Sequence, residues 1–152
     1  MMMFVKADHA GDKLTHHSHT GILLYVNRAP IIWYSKKQNT VESSTFGSEM
    51  VALRIGMEMI KGLQYKLRMM GIPIDRLTLV FCDNKSVVTN ASVPDSTLNK
   101  KHLGICYHAV HEAVTARIMR VCHIDGKKNL ADCLTKMLMA AVKQPHIEKI
   151  LY

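Results

Sequence analysis

A chain of 152 residues with 48% hydrophobic content and a mean hydropathy near zero is long enough for one soluble domain with one real core. A net charge of +8 and a pI of about 9.4 favour an acidic partner, nucleic acid being the commonest. No apolar run approaches the ~18 residues needed to span a bilayer, the opening "MMMFVKADHAGD" has no signal-peptide h-region, and Cys82, Cys106, Cys122 and Cys133 form no C-x-x-C pair. A disulfide framework is therefore not expected, and a reduced intracellular compartment is, with cytoplasm and nucleus undistinguished.

The first stretch, "MMFVKA", reads as a short strand, followed by the polar, turn-rich "HAGDKLTHHSHT". "GILLYVN" and "PIIWYSK" are β-branched and aromatic runs separated by "RA", which predicts a hairpin. From Phe46 the period changes. Met50, Leu53, Met57, Ile60, Leu67 and Met70 recur mostly at spacings of three, four or seven. That spacing predicts an amphipathic helix with Ser43, Ser44 or Thr45 as N-cap and Gly71 as its stop. "RLTLVFC" is the next strand and "NKSVVTNAS" a short helix. Residues 99–115 read as helix, "RIMRVCHI" as a fifth strand, "DGKKN" as a turn and "LADCLTKMLMAAV" as a closing helix. The order β-β-β-α-β-α-α-β-α predicts a mixed sheet with covering helices. The domain is expected to span residues 1–140, with 141–152 as a C-terminal extension.

The chain has only 12 acidic residues, so their placement is informative. Asp8 follows the first strand, Glu49 lies near the start of the long helix, Asp83 ends the fourth strand and Asp132 opens the closing helix. Sites in such sheets form off the carboxyl ends of parallel strands. Four acids from four elements would repel one another without a hard cation. Two divalent ions roughly 4 Å apart could flank a phosphate and support in-line attack by water. Each acid also has a plainer reading. Asp83 suits a helix N-cap, Glu49 could interact with a helix dipole, and Asp132 could be a surface residue.

The stretch from "ADHAGDKL" through "GSEMVALRIGMEMI", with "VFCDNKSVV", "NKKHLGICYHAVHE" and "NLADCLTK", resembles the RNase H domain of copia-type LTR retrotransposon polyproteins. The likeness runs from about Phe4 to Leu138. It implies an α/β RNase H-like fold, with a five-stranded mixed sheet in the order 3-2-1-4-5 flanked by helices. It also implies hydrolysis of the RNA strand of RNA–DNA hybrids by two Mg²⁺ ions, with Mn²⁺ as a substitute, during reverse transcription. Matched residue by residue, the likeness assigns catalytic and metal-ligand roles to Glu49 in "EMVAL", Asp83 in "CDN" and Asp132 in "LADCLTK".

The first strand departs from the family pattern. Where the family places its first acid, "VKADHAGD" has Lys6, and Asp8 matches the second acid. Asp8 is thus the candidate fourth catalytic and metal residue, and Lys6 an inactivating substitution. Residues i and i+2 of a strand share a face but stand roughly 7 Å apart, so Asp8 is not expected to bridge two ions. Lys6 would set an ammonium against Glu49 and Asp83 and take a cation's place. Impaired hybrid cleavage is the expectation, and a non-catalytic nucleic-acid-binding remnant of the same fold is the alternative. The start almost at the first strand, with no polymerase or integrase before it, suits a truncated open reading frame of a decaying element.

A zinc module is a third reading, from "HHSH" at 16–19 and "HLGICYHAVH" at 102–111. Structural zinc spacings such as C-x₂-C followed by H-x₃₋₅-H are absent. Among the scattered basic residues, Lys85 is the best substrate contact, being two residues past Asp83 at a helix start. Asn84, Lys100 and Lys101 come next. The Met-rich helix reads as core with one wet face.

Overall fold

In the computed structural model the five expected strands form one mixed sheet in the order β3-β2-β1-β4-β5. The structure describes residues 1–93, 101–136, 144, 147, 148 and 150. β1 (Met2–Asp8), β2 (His19–Val26) and β3 (Ala29–Lys37) run antiparallel in sequence. β4 (Thr78–Cys82) pairs parallel to β1, and β5 (Met119–His123) parallel to β4. The hairpin turn is Asn27–Arg28, one residue earlier than the sequence pattern implies, because Ala29 already pairs with Val26. Asn27 takes a positive φ of 55°, a conformation that Asn tolerates better than most residues.

The long helix α1 (Thr45–Met69) starts where Ser44 accepts a hydrogen bond from the Gly47 amide. Past its end, Gly71 adopts φ +74°, the left-handed stop that glycine permits. α2 (Lys85–Ser92) is capped by Asn84, whose side chain accepts from the amides of Ser86 and Val87. α3 (Gly104–Thr115) follows a 3-10 turn at Lys101–Leu103, and residues 99 and 100 lie outside the described part. The expected closing helix is instead a 3-10 helix at Leu130–Leu134. Asn129 caps it, and the rest of that expectation, residues 137–142, lies outside the described residues.

α1, α2 and α3 cover one face of the sheet. Met3, Val5, Ile22, Leu24, Leu53, Ile60, Val80, Val87 and Val110 are fully buried there. Each such side chain contributes roughly 1.5–3 kcal/mol relative to exposure. On the other face Phe4, Leu23 and Tyr25 pack against Leu130 and Ala131. Two features bring that 3-10 helix close. The buried Asn129 side chain donates to the Val5 carbonyl at 3.0 Å. Gly21 leaves room for the backbone, since a Cβ there would stand 2.6 Å from the Ala131 carbonyl oxygen and 3.0 Å from the Leu134 Cβ.

Gly21→Ala is therefore expected to push the 3-10 helix off β2. Overpacking of this kind costs roughly 1–3 kcal/mol, which a thermal melt should register as a Tm lower by about 3–9 °C. An unchanged Tm would mean that the helix moves freely on the sheet.

Candidate active site

Parallel pairing brings the carboxyl ends of β1 and β4 together. Phe4 stands beside Phe81, and continuing that register by two residues sets Lys6 beside Asp83. The Lys6 Nζ donates to Asp83 Oδ2 at 2.5 Å and lies 3.6 Å from Glu49 Oε1. Glu49 reaches this point from the second turn of α1, and its carboxylate accepts a hydrogen bond from the Ala7 amide. Its side chain is only 5% exposed, against 13% for Asp83 and 21% for Lys6. Because Asn84 caps α2, the Asp83 carboxylate is not used as a cap and stays aimed at the sheet end. Asp83 Oδ1 is buried and has no hydrogen-bond partner among the described residues.

Glu49, Cys82 and Asp83 offer ligand atoms within 4.8 Å of one another, and no other group of three His, Cys, Asp or Glu meets this measure among the described residues. The histidines of "HHSH" and of residues 102–111 do not join it. His17 Nδ1 instead lies 2.7 Å from the Gln38 carbonyl oxygen, and His111 Nε2 lies 2.8 Å from that of Asn90. Asp132 sits on the 3-10 helix, where Lys136 holds its Oδ1 at 3.1 Å. It is near enough to Lys6 to help hold the ammonium charged. Asp8 lines the same cleft of about 510 Å³ as Lys6, Glu49, Asp83, Asn84 and Lys85. Its carboxylate leans on Gly11, where a Cβ would lie 2.4 Å from Oδ2, and it is not part of the close group. Lys101 is in the 3-10 turn before α3, and Lys100 lies outside the described residues.

Sequence reasoning missed four contributors. Lys136 also lines the cleft, and its spacing of four from Asp132 was a visible signal. Asn129 and Gly21 act through contacts distant in sequence and gave none. Cys82 is completely buried, and its Sγ lies 3.9 Å from Glu49 Oε2.

The electrostatics follow from burial and neighbours. Burial alone would lower the Lys6 pKa, but its hydrogen bond to Asp83 and the charges of Glu49, Asp83 and Asp132 together raise it. Burial pushes the Glu49 carboxyl up to about 7, against the pull of the Ala7 amide and of Lys6. Burial and the nearby Glu49 push the Cys82 thiol up to about 12, so it stays protonated near neutrality. At neutral pH the firm ion pair is Lys6 with Asp83, and Glu49 is divided between its two forms.

A carboxyl raised in the folded state favours folding while protonated. The contribution of Glu49 to stability is thus fully present below the unfolded value near 4.5 and is lost as pH rises toward 7. Glu49→Gln removes this dependence. Denaturant unfolding across that range should show the wild type losing up to about 3 kcal/mol relative to the variant. Parallel pH profiles would mean that Glu49 is not held protonated.

No family model matches the chain. It is 32% identical over 144 residues to the retrovirus-related Pol polyprotein from transposon RE1 of Arabidopsis thaliana, covering 95% of this chain and 10% of that protein. With the corresponding polyprotein from transposon TNT 1-94 of Nicotiana tabacum the identity is 32% over 136 residues, 89% of this chain and 10% of that one. The chain thus spans about a tenth of the length of these relatives. Among solved structures, LC11-RNase H1 in complex with RNA/DNA hybrid superposes with a TM-score of 0.68 at 15% identity, covering 88% of this chain and 92% of that one. The foamy viral protease-reverse transcriptase in complex with RNA/DNA hybrid superposes with a TM-score of 0.60 at 14% identity, over 88% of this chain and 19% of that one. By sequence this chain is a homologue of one segment of the retrovirus-related Pol polyproteins of plant transposons, and that segment carries the RNase H fold.

Proposed function

We propose that this chain is the RNase H domain of a copia-type retrotransposon polyprotein, that it engages RNA–DNA hybrid, and that Lys6 leaves it hydrolysing the RNA strand weakly or not at all. The observation that carries the reading is the Lys6 ammonium, 2.5 Å from Asp83 and 3.6 Å from Glu49. The carboxylates of Glu49, Asp83 and Asp132 are hard oxygen donors of the kind Mg²⁺ or Mn²⁺ takes. The set as it stands does not fit two such ions. Position 6 of the first strand holds a lysine in place of an acid, the Cys82 thiol stays protonated, and the ammonium contacts both Asp83 and Glu49. At ~4 Å and an effective dielectric near 20, each unit-charge contact is worth about 4 kcal/mol before screening and relaxation. Exchanging that repulsion for a ligand is large on the scale of metal binding.

Hybrid binding does not need the same atoms. The net charge of +8 and the opening of the cleft beside Lys85, Asn84 and Lys136 support a surface that follows phosphates. Residue 6, together with a hybrid-cleavage assay, discriminates the remnant reading from the nuclease reading.

Lys6→Asp should convert a chain that cleaves hybrid poorly into one that cleaves measurably faster in Mg²⁺ or Mn²⁺, by at least roughly a hundredfold on the charge estimate above. Wild type that cuts well and loses activity on Asp8→Asn would instead make Asp8 the fourth ligand. A Lys6→Asp variant that binds Mg²⁺ no better than the parent would defeat the charge explanation. Hybrid affinity should fall by at least about tenfold between roughly 50 and 200 mM salt, with little sequence preference, as counterion release requires. Affinity indifferent to salt would count against a phosphate-following surface.

A further inference from the structure

We infer that Lys6 is the resident counter-ion of the carboxylate cluster, so that this fold holds its acids together without a divalent metal. Asp83 directly follows β4, and Glu49 lies on α1. Each brings a buried carboxylate, and two such groups side by side repel when both are ionised. Lys6 stands between them on a third element, β1, with a 2.5 Å contact to one and a 3.6 Å contact to the other. Its alkyl stem anchors the charge in place, so no ion need be drawn from solution. The loss of freedom on association that a diffusing cation incurs is absent.

Geometry also says why a metal does not compete. A divalent ion entering between Asp83 and Glu49 must displace the ammonium. The Lys6 backbone is paired with Gly21 of β2, so the displaced ammonium remains tethered beside the acids as a like charge. The second lysine behaves differently. Lys136 neutralises Asp132 at 3.1 Å, but its side chain is 44% exposed and is free to turn to water. Lys6 is 21% exposed, the more covered of the two cations.

Thermal unfolding reads this role whether or not the chain cleaves hybrid. The test melts wild type and Lys6→Met, whose side chain is similar in length and uncharged, in EDTA and in millimolar Mg²⁺ at matched ionic strength. Wild type should melt at the same temperature in both buffers. Lys6→Met should melt lower in EDTA by roughly 3–8 °C, because a buried pair has lost one partner. Mg²⁺ should then restore much of that loss in a saturable way. A wild-type Tm that climbs saturably with Mg²⁺ would overturn the inference, as would a Lys6→Met variant as stable as wild type in EDTA. If Lys6→Met does not fold, the wild-type arm decides by itself, supplemented by Mn²⁺. Paramagnetic broadening of resonances near Glu49 and Asp83 would overturn the inference, and its absence would support it.

Discussion

Parallel pairing of β1 with β4 obliges residue 6 and residue 83 to share a few ångströms at the end of the sheet. A lysine and an aspartate meeting there form a short, largely buried ion pair. Much else at this end is arranged around it. Glu49 leans in from α1, Asn84 takes over the helix cap, and the 3-10 helix brings Asp132 within electrostatic reach of the ammonium. Pairing an enclosed charge offsets its desolvation, whereas removing one partner leaves the other costly. The same ammonium thus stands within reach of acids from two different elements.

The structure separates scaffold from chemistry. The fold matches LC11-RNase H1 at 15% identity. Similarity that low shows how little of the sequence the fold demands. Apolar alternation in the strands, the apolar stripe of α1 and a few close approaches suffice. The site depends on individual atoms instead, and a single ammonium at residue 6 offsets part of the charge of its acids.

What could be read in the sequence was mainly local. The 3.6-residue recurrence along α1, the candidate caps around Ser44, the glycine stop and the β-branched runs all reflect neighbours within a turn or two. The structure agrees with them closely. Asp83 at the tip of a buried strand was legible for the same reason. The described start of the closing helix differs from the expectation, since "LADCL" has helical spacing but folds as a 3-10 helix against β2. Tertiary fit decided that segment, through a hydrogen bond between residues 124 positions apart and a glycine that only matters because a backbone passes over it. No periodicity encodes either. The Lys6 contacts lie between these cases. Residue 6 drew notice as a departure from a family pattern, and its distances to Asp83 and Glu49 required the sheet register.

The register of β1 has one more bearing on how this site could change. β1 pairs with β2 along all seven of its residues and with β4 over three, and it packs Met3, Val5 and Ala7 into one core and Phe4 into the other. Sliding the strand by one residue would exchange the two faces and put apolar side chains into the cleft. Sliding it by two would keep the faces and bring Asp8 to the place of Lys6. That slide would also withdraw the Val5 carbonyl from Asn129 and draw polar residues of the following turn into the strand. The strand is locked like a key in a ward. A slide of the strand is thus opposed by its pairing and its packing, and Asp8 is held at the strand end, opposite His19 and against Gly11.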